Sequence, residues 1–315
     1  MEIARADNCT AQEGFVLQGF GNGPGAQVVP FVVFLLIYMI TVLWNASMIL
    51  LICANPSLHT PMYFFLMNLS VLDLCFTTTI APKAMASFLV GSNSISHNEC
   101  AAQFFLFSVF LTAEGFLLAA MAYDRYTAIC NPLLYPVTMS KWLCVRLVAG
   151  SIFSGCVNSM VQTGFTFSLR YCGSREIDHF FCDGPPLINL ATSDTYVNNL
   201  VMFTLCGFII GSTFLVVFVS YFYIISTILR IRSAEGRHKA FSTCTSHMIT
   251  VSILYGSTAF MYAQPTWVSL LYPRKAVSVF YTFIIPMVNP LIYSLRNKEV
   301  KDAWGRTMGR KSWEG

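Results

Sequence analysis

The feature that most restricts the fold of this chain is a long segment without charges near its N-terminus. No Asp, Glu, Lys or Arg stands between Glu13 and Asp73, and roughly 20 apolar residues of helix cross a bilayer core about 30 Å thick. In the whole chain only 11% of the residues are charged and 55% are hydrophobic, whereas soluble domains carry about 25% charged residues. A soluble fold could not bury this much apolar surface, so part of the chain must face lipid.

Six further apolar stretches follow the first one, and charged residues stand at the ends of several of them. The runs lack the alternating pattern of barrel strands. We therefore predict an all-α membrane protein, a bundle of seven transmembrane helices. The predicted spans cover residues 28–53, 62–86, 98–123, 143–168, 197–229, 239–263 and 276–295.

The distribution of basic residues predicts the orientation. With the N-terminus outside, 13 of the 19 Lys and Arg residues lie on the cytoplasmic side, as the positive-inside rule requires. Asn8 begins an Asn-Cys-Thr triplet and is a candidate glycosylation site on that outer side. The chain then divides into an extracellular tail (1–27), a seven-transmembrane domain (28–295) and a cytoplasmic tail (296–315). Without a cleavable signal peptide, the first span is expected to direct insertion.

The cytoplasmic tail has the pattern of a short amphipathic helix. Val300, Trp304 and Met308 recur every four residues, with Lys and Arg between them. This pattern is typical of a helix that lies on the inner leaflet. The alternative is a frayed, solvated tail.

Two acidic residues are predicted in the middle of spans, where charges are costly. Asp73 lies in the second span and Glu114 in the third, and Asn45 and Asn289 lie at comparable depths in the first and the seventh. Such a cluster could hold a hydrated sodium ion or act as a proton-sensitive switch. The alternative is a structural hydrogen-bond network without an ion.

Four sequence motifs stand in order along the chain: Leu58-His59-Thr60-Pro61-Met62-Tyr63, Met121-Ala122-Tyr123-Asp124-Arg125-Tyr126, Lys239-Ala240-Phe241-Ser242-Thr243-Cys244 and Pro286-Met287-Val288-Asn289-Pro290-Leu291-Ile292-Tyr293. Together they resemble the signatures of vertebrate olfactory (odorant) receptors. These receptors are a branch of the rhodopsin-like G-protein-coupled receptors, and the loop at 176–183 resembles that of the tetrapod-type, class II members. The resemblance extends from about Asn8 to Lys301.

The resemblance implies signal transfer. The expected partners are a small volatile odorant, a heterotrimeric G protein of the stimulatory, olfactory type that raises cyclic AMP, and membrane lipid. The expected location is the plasma membrane of olfactory cilia, as a multi-pass protein. Arg125, which keeps its charge and offers several donors in one plane, should pair with Asp124 at rest and turn to the G protein on activation; the alternative is a helix-end anchor. The expected switch residues are Asp124, Arg125, Tyr126, Asn289, Pro290 and Tyr293.

The odorant pocket is expected in the extracellular half of the bundle, on helix faces defined by three-to-four spacing. Each candidate could equally be a plain packing residue, but together they describe an apolar cavity with a few hydroxyl groups, suited to small neutral ligands. The third span carries Phe107 where related amine receptors carry Asp, and the seventh has no Lys for a retinal Schiff base. The candidates are Phe104, Phe107, Ser108, Leu111, Thr112, Met202, Cys206, Tyr255, Thr258, Ala259 and Tyr262.

The family pattern further implies a disulfide between Cys100 and Cys182. Two departures from the pattern concern packing and pairing. Trp44 stands where Gly usually precedes Asn45, so the first helix should pack differently. Thr192 replaces a loop cysteine and leaves Cys172 without its expected partner; Cys172 could pair with Cys9, or both could remain free thiols.

Other classes of protein find less support in the sequence. A cation channel or transporter using Asp73 and Glu114 is the main alternative, but the chain has no obvious internal repeat. The common catalytic motifs of hydrolases and nucleotide enzymes are absent, so an enzyme is not expected. No long basic stripe suggests nucleic acid. Cys244 and His247 stand one helical turn apart, and this pair is better explained by packing or by contact with the G protein than by a metal.

Overall fold

The fold is described from a computed structural model of the chain. It describes residues 14–19, 28–90, 93–231, 233–262, 274–296 and 298–307. Asn8, Cys9 and Met308 lie outside these residues, so the glycosylation site and the pairing of Cys9 stay predictions. The side chain of Tyr262 is likewise outside the described part.

Long helices dominate the described residues, and short helices connect or flank them. A one-turn 3-10 helix (Pro56–Leu58) follows the first long helix. The long helices are α1 (Val28–Ala54), α2 (Pro61–Val90), α3 (His97–Cys130), α5 (Lys141–Phe167), α7 (Tyr196–Arg230), α8 (Ala234–Tyr262) and a seventh formed by α9 (Arg274–Val279), a π-helical turn (Phe280–Ile284) and α10 (Ile285–Arg296). The short helices are α4 (Tyr135–Thr138), α6 (Gly184–Leu190) and α11 (Lys298–Thr307).

The seven-helix bundle is the architecture that the sequence predicts. Within the described residues, six helical segments are long and apolar enough to cross a bilayer. The remaining one, α8, is as long, with 29 residues, but it contains several Ser and Thr residues and charges near its start. It belongs to the bundle because Val251 and Leu254 are buried and because it contacts α3, α7 and α10.

The helices extend beyond the predicted spans because hydropathy marks only their apolar part. The third span was predicted at 98–123, whereas α3 continues through Asp124 and Arg125 to Cys130. Its start is fixed by a capping box in which Ser96 and Glu99 each accept a hydrogen bond from the backbone N–H of the other. Helical hydrogen bonding therefore carries α3 past both faces of the apolar core, and this places Arg125 on the cytoplasmic side.

A small three-stranded sheet covers the extracellular side and joins distant parts of the chain. Strand β1 (Phe15–Leu17) lies between β2 (Ser94–Ile95) and β3 (Glu176–Ile177). It is antiparallel to β2 and parallel to β3. Since the inward side chains of β1 are buried, the sheet attaches the N-terminal segment to the loop before α3 and to the loop after α5.

The seventh helix lacks one backbone hydrogen bond at Pro290, and a side chain of α1 replaces it. Pro290 has no N–H, so the carbonyl oxygen of Pro286 has no partner within the helix. Asn45 of α1 is fully buried and donates its side-chain amide to that oxygen at 2.9 Å. Asn45 therefore holds the first and seventh helices together rather than joining the buried carboxylates.

The predicted amphipathic tail helix is present as α11. Val300 and Ala303 are buried against the bundle, while Lys301 and Asp302 are exposed. Trp44 of α1 lies beside this helix and lines a cleft together with Pro290 and Trp304. The residue that replaces the usual Gly thus gives α1 a bulky contact with the end of the bundle.

Candidate functional site

A cavity in the extracellular half of the bundle contains most of the predicted ligand residues. It encloses about 640 Å³ of empty space between α3, α5, α6, α7 and α8. Nine of the eleven predicted residues line it, Ala259 does not, and Tyr262 lies outside the described side chains. The predicted residues in the wall are Phe104, Phe107, Ser108, Leu111, Thr112, Met202, Cys206, Tyr255 and Thr258.

The wall also contains eight residues that the sequence did not predict, three of them from helices not assigned to the pocket. Asn158 and Gln162 of α5 stand four residues apart, a spacing that places both on one helix face and could have identified them. The other missed residues lack such a signal because they are apolar or small. They are Gly115, Gly184, Ile209, Ile210, Thr213 and Leu254.

A row of polar side chains crosses the otherwise apolar wall. The side-chain amide of Asn158 donates to the Thr112 hydroxyl at 2.9 Å. The side-chain amide of Gln162 donates to the side-chain oxygen of Asn158, Oδ1, at 2.9 Å and to the sulfur of Cys206 at 3.6 Å. Because the Thr112 hydroxyl accepts from Asn158, its own proton remains available to a ligand. None of the residues lining the cavity is charged, which disfavours an ionic ligand.

The loop after α5 closes the cavity from the extracellular side. His179, Phe180 and Phe181 are buried, and Phe181 packs against Phe107 with ring centroids 5.1 Å apart. A disulfide joins Cys100 to Cys182, as the family pattern implies. Hydrogen bonds add to this attachment because Gln103 of α3 accepts from the Cys182 backbone N–H at 2.9 Å.

His179 attaches the same loop to the seventh helix. One ring nitrogen lies 2.8 Å from the Ser278 hydroxyl, while the other, Nδ1, is buried without a hydrogen-bond partner. Burial is the main cause that lowers the pKa of His179 to about 3; nearby Lys275 lowers it further and Asp178 opposes the shift. The ring is therefore neutral at physiological pH.

Cys172 and Thr192, where the sequence departs from the family's cysteine pattern, are both bonded in the structure. Cys172 is disulfide-bonded, so the expectation of a free thiol at this position is wrong; the predicted partner, Cys9, lies outside the described residues. Thr192 bridges the loop by hydrogen bonds, since its hydroxyl donates to the Arg170 carbonyl at 3.0 Å and accepts from the Cys172 N–H at 3.4 Å.

The two deep acids meet at one amide. Asn289 donates to Asp73 at 3.1 Å and approaches Glu114 at 3.4 Å, and each of the three residues is at most 2% exposed. Two carboxyl groups this close stay charged together only when a cation lies between them. Without a cation, they share a proton. Within the described residues, no group of three His, Cys, Asp or Glu side chains is arranged for a metal ion.

At the cytoplasmic end, Asp124 has a different partner from the one expected. We expected an Asp124–Arg125 pair at rest, but Tyr135 of α4 donates its hydroxyl to the Asp124 carboxylate at 2.9 Å, and no ion pair joins Asp124 to Arg125 in the described part of the chain. Burial and the nearby carboxylate raise the pKa of Tyr135, so the hydroxyl keeps its proton. Nε of Arg125 is buried without a hydrogen-bond partner.

His247 connects three helices next to Arg125. One ring nitrogen, Nε2, lies 3.0 Å from the Leu118 carbonyl of α3, which can only accept. Nε2 must therefore carry the proton, and Nδ1 accepts from the Tyr221 hydroxyl of α7 at 2.8 Å. We predicted that His247 serves packing or G-protein contact, and its hydrogen bonds join α8 to α3 and α7. Tyr293, one of the expected switch residues, is also buried and lies close enough to Arg125 for an electrostatic interaction. Tyr126, another expected switch residue, is partly exposed.

Comparison with known proteins agrees with this arrangement. A sequence model of the olfactory receptor family matches residues 34–311. The chain is 55% identical to human olfactory receptor OR9H1, over 97% of this chain and 99% of that protein. It is 57% identical to mouse olfactory receptor 9S13, over 95% and 90%, and 52% identical to mouse olfactory receptor 5AR1, over 97% and 98%. The chain therefore belongs to the olfactory receptor family of rhodopsin-like G-protein-coupled receptors, and it is a multi-pass membrane receptor rather than an enzyme.

Proposed function

We propose that this receptor detects small, neutral volatile molecules and signals through a stimulatory, olfactory-type G protein that raises cyclic AMP. The observation that carries the ligand class is the uncharged cavity wall with its row of hydroxyl and amide groups. The Thr112 and Ser108 hydroxyls offer protons to an acceptor, so an alcohol, ester, aldehyde or ketone suits the wall better than an ion; a hydrocarbon would use the apolar part alone. We place the receptor in the cilia of olfactory sensory neurons on the family resemblance.

The test is ligand-dependent cyclic AMP in cells that express the chain together with an olfactory-type G protein. A panel of neutral volatiles is compared on the wild type, on Arg125→Ala and on Asn158→Ala, with matched surface expression. Arg125→Ala should abolish the response at all concentrations. Asn158→Ala should shift the response to about fivefold higher concentration, as expected when about 1 kcal/mol is lost with the hydrogen bond that positions the Thr112 hydroxyl. A response that survives Arg125→Ala contradicts the role of Arg125.

We further propose that Asp73 and Glu114 hold a sodium ion, with a shared proton as the alternative. The support is that both carboxyl groups contact Asn289 in a buried site. Sodium prefers oxygen ligands, and the carboxylates provide oxygen atoms with negative charge. A cation channel or transporter along these acids is less well supported because they meet at one point instead of lining a path, and because the relatives are receptors.

Exchange of sodium for choline at constant ionic strength tests this site through the melting temperature of the purified receptor. Sodium should raise the melting temperature of the wild type by about 2 °C or more, because a ligand that binds only the folded state stabilises it. Glu114→Gln should remove the effect, whereas Glu99→Gln at the exposed start of α3 should retain it. A melting temperature insensitive to sodium but dependent on pH would favour the shared proton.

A further inference from the structure

A large groove lies on the cytoplasmic half of the bundle, away from the odorant cavity. It runs between the end of α1, the start of α2 and the α4–α5 segment, and encloses about 1570 Å³ of empty space. Its walls include Leu58, His59, Thr60 and Pro61 of the first sequence motif and Tyr135 of the cytoplasmic loop, and none of its lining residues lines the odorant cavity. Its position at the ends of membrane helices places it at the level of the inner leaflet.

The body of the groove is apolar and reaches the lipid-facing surface. Ile52, Phe64 and Met67 form one wall and Val145 forms part of the other. Val145 is exposed, so in a bilayer this surface contacts acyl chains. A concave apolar surface open to the bilayer fits a hydrocarbon chain better than a soluble partner.

The rim of the groove is polar and positive. Lys141 is exposed and is the first residue of α5, where the helix dipole also favours an anion. His59, Thr60 and Ser140 complete the rim, and none of the residues lining the groove is acidic. The cytoplasmic leaflet is the one that carries anionic lipids, which attract basic residues close to the membrane surface. The positive rim of the groove thus complements the headgroup of an anionic phospholipid, and the apolar body complements its acyl chain.

We propose that this groove binds an anionic phospholipid of the inner leaflet, with the phosphate at Lys141 and one acyl chain against Phe64 and Met67. The same lipid would touch the signalling site, because Tyr135 forms part of the groove wall and donates to Asp124. A lipid packed against the Tyr135 ring keeps the hydroxyl on Asp124 and leaves Arg125 unpaired. This consequence rests on the proposed function; the binding itself does not.

Photo-crosslinking tests the binding without any odorant. The full-length receptor is placed in phosphatidylcholine nanodiscs that contain a trace of phosphatidylserine or phosphatidylcholine with a diazirine in one acyl chain, and the labelled peptides are mapped by mass spectrometry. The serine lipid should label residues 52–67 and 135–145 about fivefold more than the choline lipid, as one basic residue near an anionic membrane surface implies. Equal labelling by both lipids overturns the proposal.

Charge variants show whether Lys141 is responsible. Lys141→Glu should reduce labelling by the serine lipid to the level of the choline lipid, and Lys141→Arg should preserve it. Arg146→Glu is the matched control, because Arg146 is an exposed cation on the same helix that stacks on Trp142 and does not line the groove. Labelling unchanged in Lys141→Glu, or reduced equally in Arg146→Glu, overturns the proposal. A weaker cyclic AMP response in Lys141→Glu than in Arg146→Glu would extend it to signalling.

Discussion

One hydroxyl group determines how the signalling residues are arranged in this structure. Tyr135 lies ten residues beyond Arg125, in a short helix of the cytoplasmic loop. Its hydroxyl nevertheless donates a hydrogen bond to the Asp124 carboxylate. Arg125 is thereby free of its sequence neighbour and lies near the buried groups of α7, α8 and α10. The arrangement of three side chains thus depends on a contact between a helix and a loop.

Removal of this hydroxyl should weaken signalling. In Tyr135→Phe the Asp124 carboxylate loses its donor, a loss of about 1–3 kcal/mol for a buried acceptor, and the nearest replacement is the Arg125 guanidinium. That pairing would hold Arg125 away from the G protein. The maximal cyclic AMP response should fall several-fold at equal surface expression. Tyr196→Phe, at an exposed position near the extracellular end of α7, is the control, and an undiminished response in Tyr135→Phe would contradict this role for Asp124.

At the level of helices, the close approach of α3 and α5 defines one side of the odorant cavity. Gly155 permits it, since a Cβ atom at this position would lie 2.5 Å from the Val109 carbonyl oxygen. The approach brings Asn158 within hydrogen-bonding distance of Thr112, so helix packing and the polar row of the pocket have the same origin. Small residues serve this purpose in membrane helices generally.

Gly155→Ala should therefore separate the two helices, while Gly150→Ala should not. Both substitutions favour helix formation equally, but no atom lies within 4 Å of a Cβ at Gly150. We expect Gly155→Ala to cost about 1–3 kcal/mol, the usual range for overpacking, and to lower the melting temperature and surface expression. Equal melting temperatures for the two variants would show that α5 can shift without cost.

For the whole molecule, the extracellular lid depends on contacts between segments far apart in the chain. β1 pairs with the loops before and after the α3–α5 region. His179 contacts Ser278 of α9, and Lys275, close by on the same helix, forms an ion pair with Asp178. The lid is thus fastened to the N-terminal segment, to α3 through the disulfide and to the seventh helix.

Acid should loosen this lid. The pKa of His179 is lowered to about 3 in the folded receptor and is about 6.5 in an unfolded chain. The open lid therefore binds more protons between these values, and the closed lid loses stability as the pH falls below about 6.5, by about 2 kcal/mol at pH 5.

Hydrogen exchange of residues 176–183 at pH 7 and pH 5, corrected for intrinsic rates, measures this effect. Exchange should accelerate at pH 5 in the wild type. In His179→Gln, which keeps a donor for Ser278 but does not titrate, the corrected rates should change little. Equal acceleration in both proteins would assign the effect to another group.

Much of the fold and part of the site could be predicted from the sequence because they depend on local properties. Apolar length determines the spans, basic residues determine their orientation, and three-to-four spacing placed nine of the eleven ligand candidates around one cavity. Helix ends were less accurate, since α3 continues past the charges at which its hydropathy falls. Asn158 and Gln162 were missed although their four-residue spacing places them on one face of α5, because that spacing does not show which helix the face contacts.

The sequence by itself determined that this chain spans a membrane as a helical bundle and belongs to the olfactory receptors, because hydropathy and motifs are readable residue by residue. Only the tertiary structure decided how the polar groups pair. Asn45 could join the deep acids or the Pro286 carbonyl, and Asp124 could pair with Arg125 or with Tyr135. A buried polar group takes the partner that the packing of distant helices brings within 3 Å, and that distance is a property of the folded bundle alone.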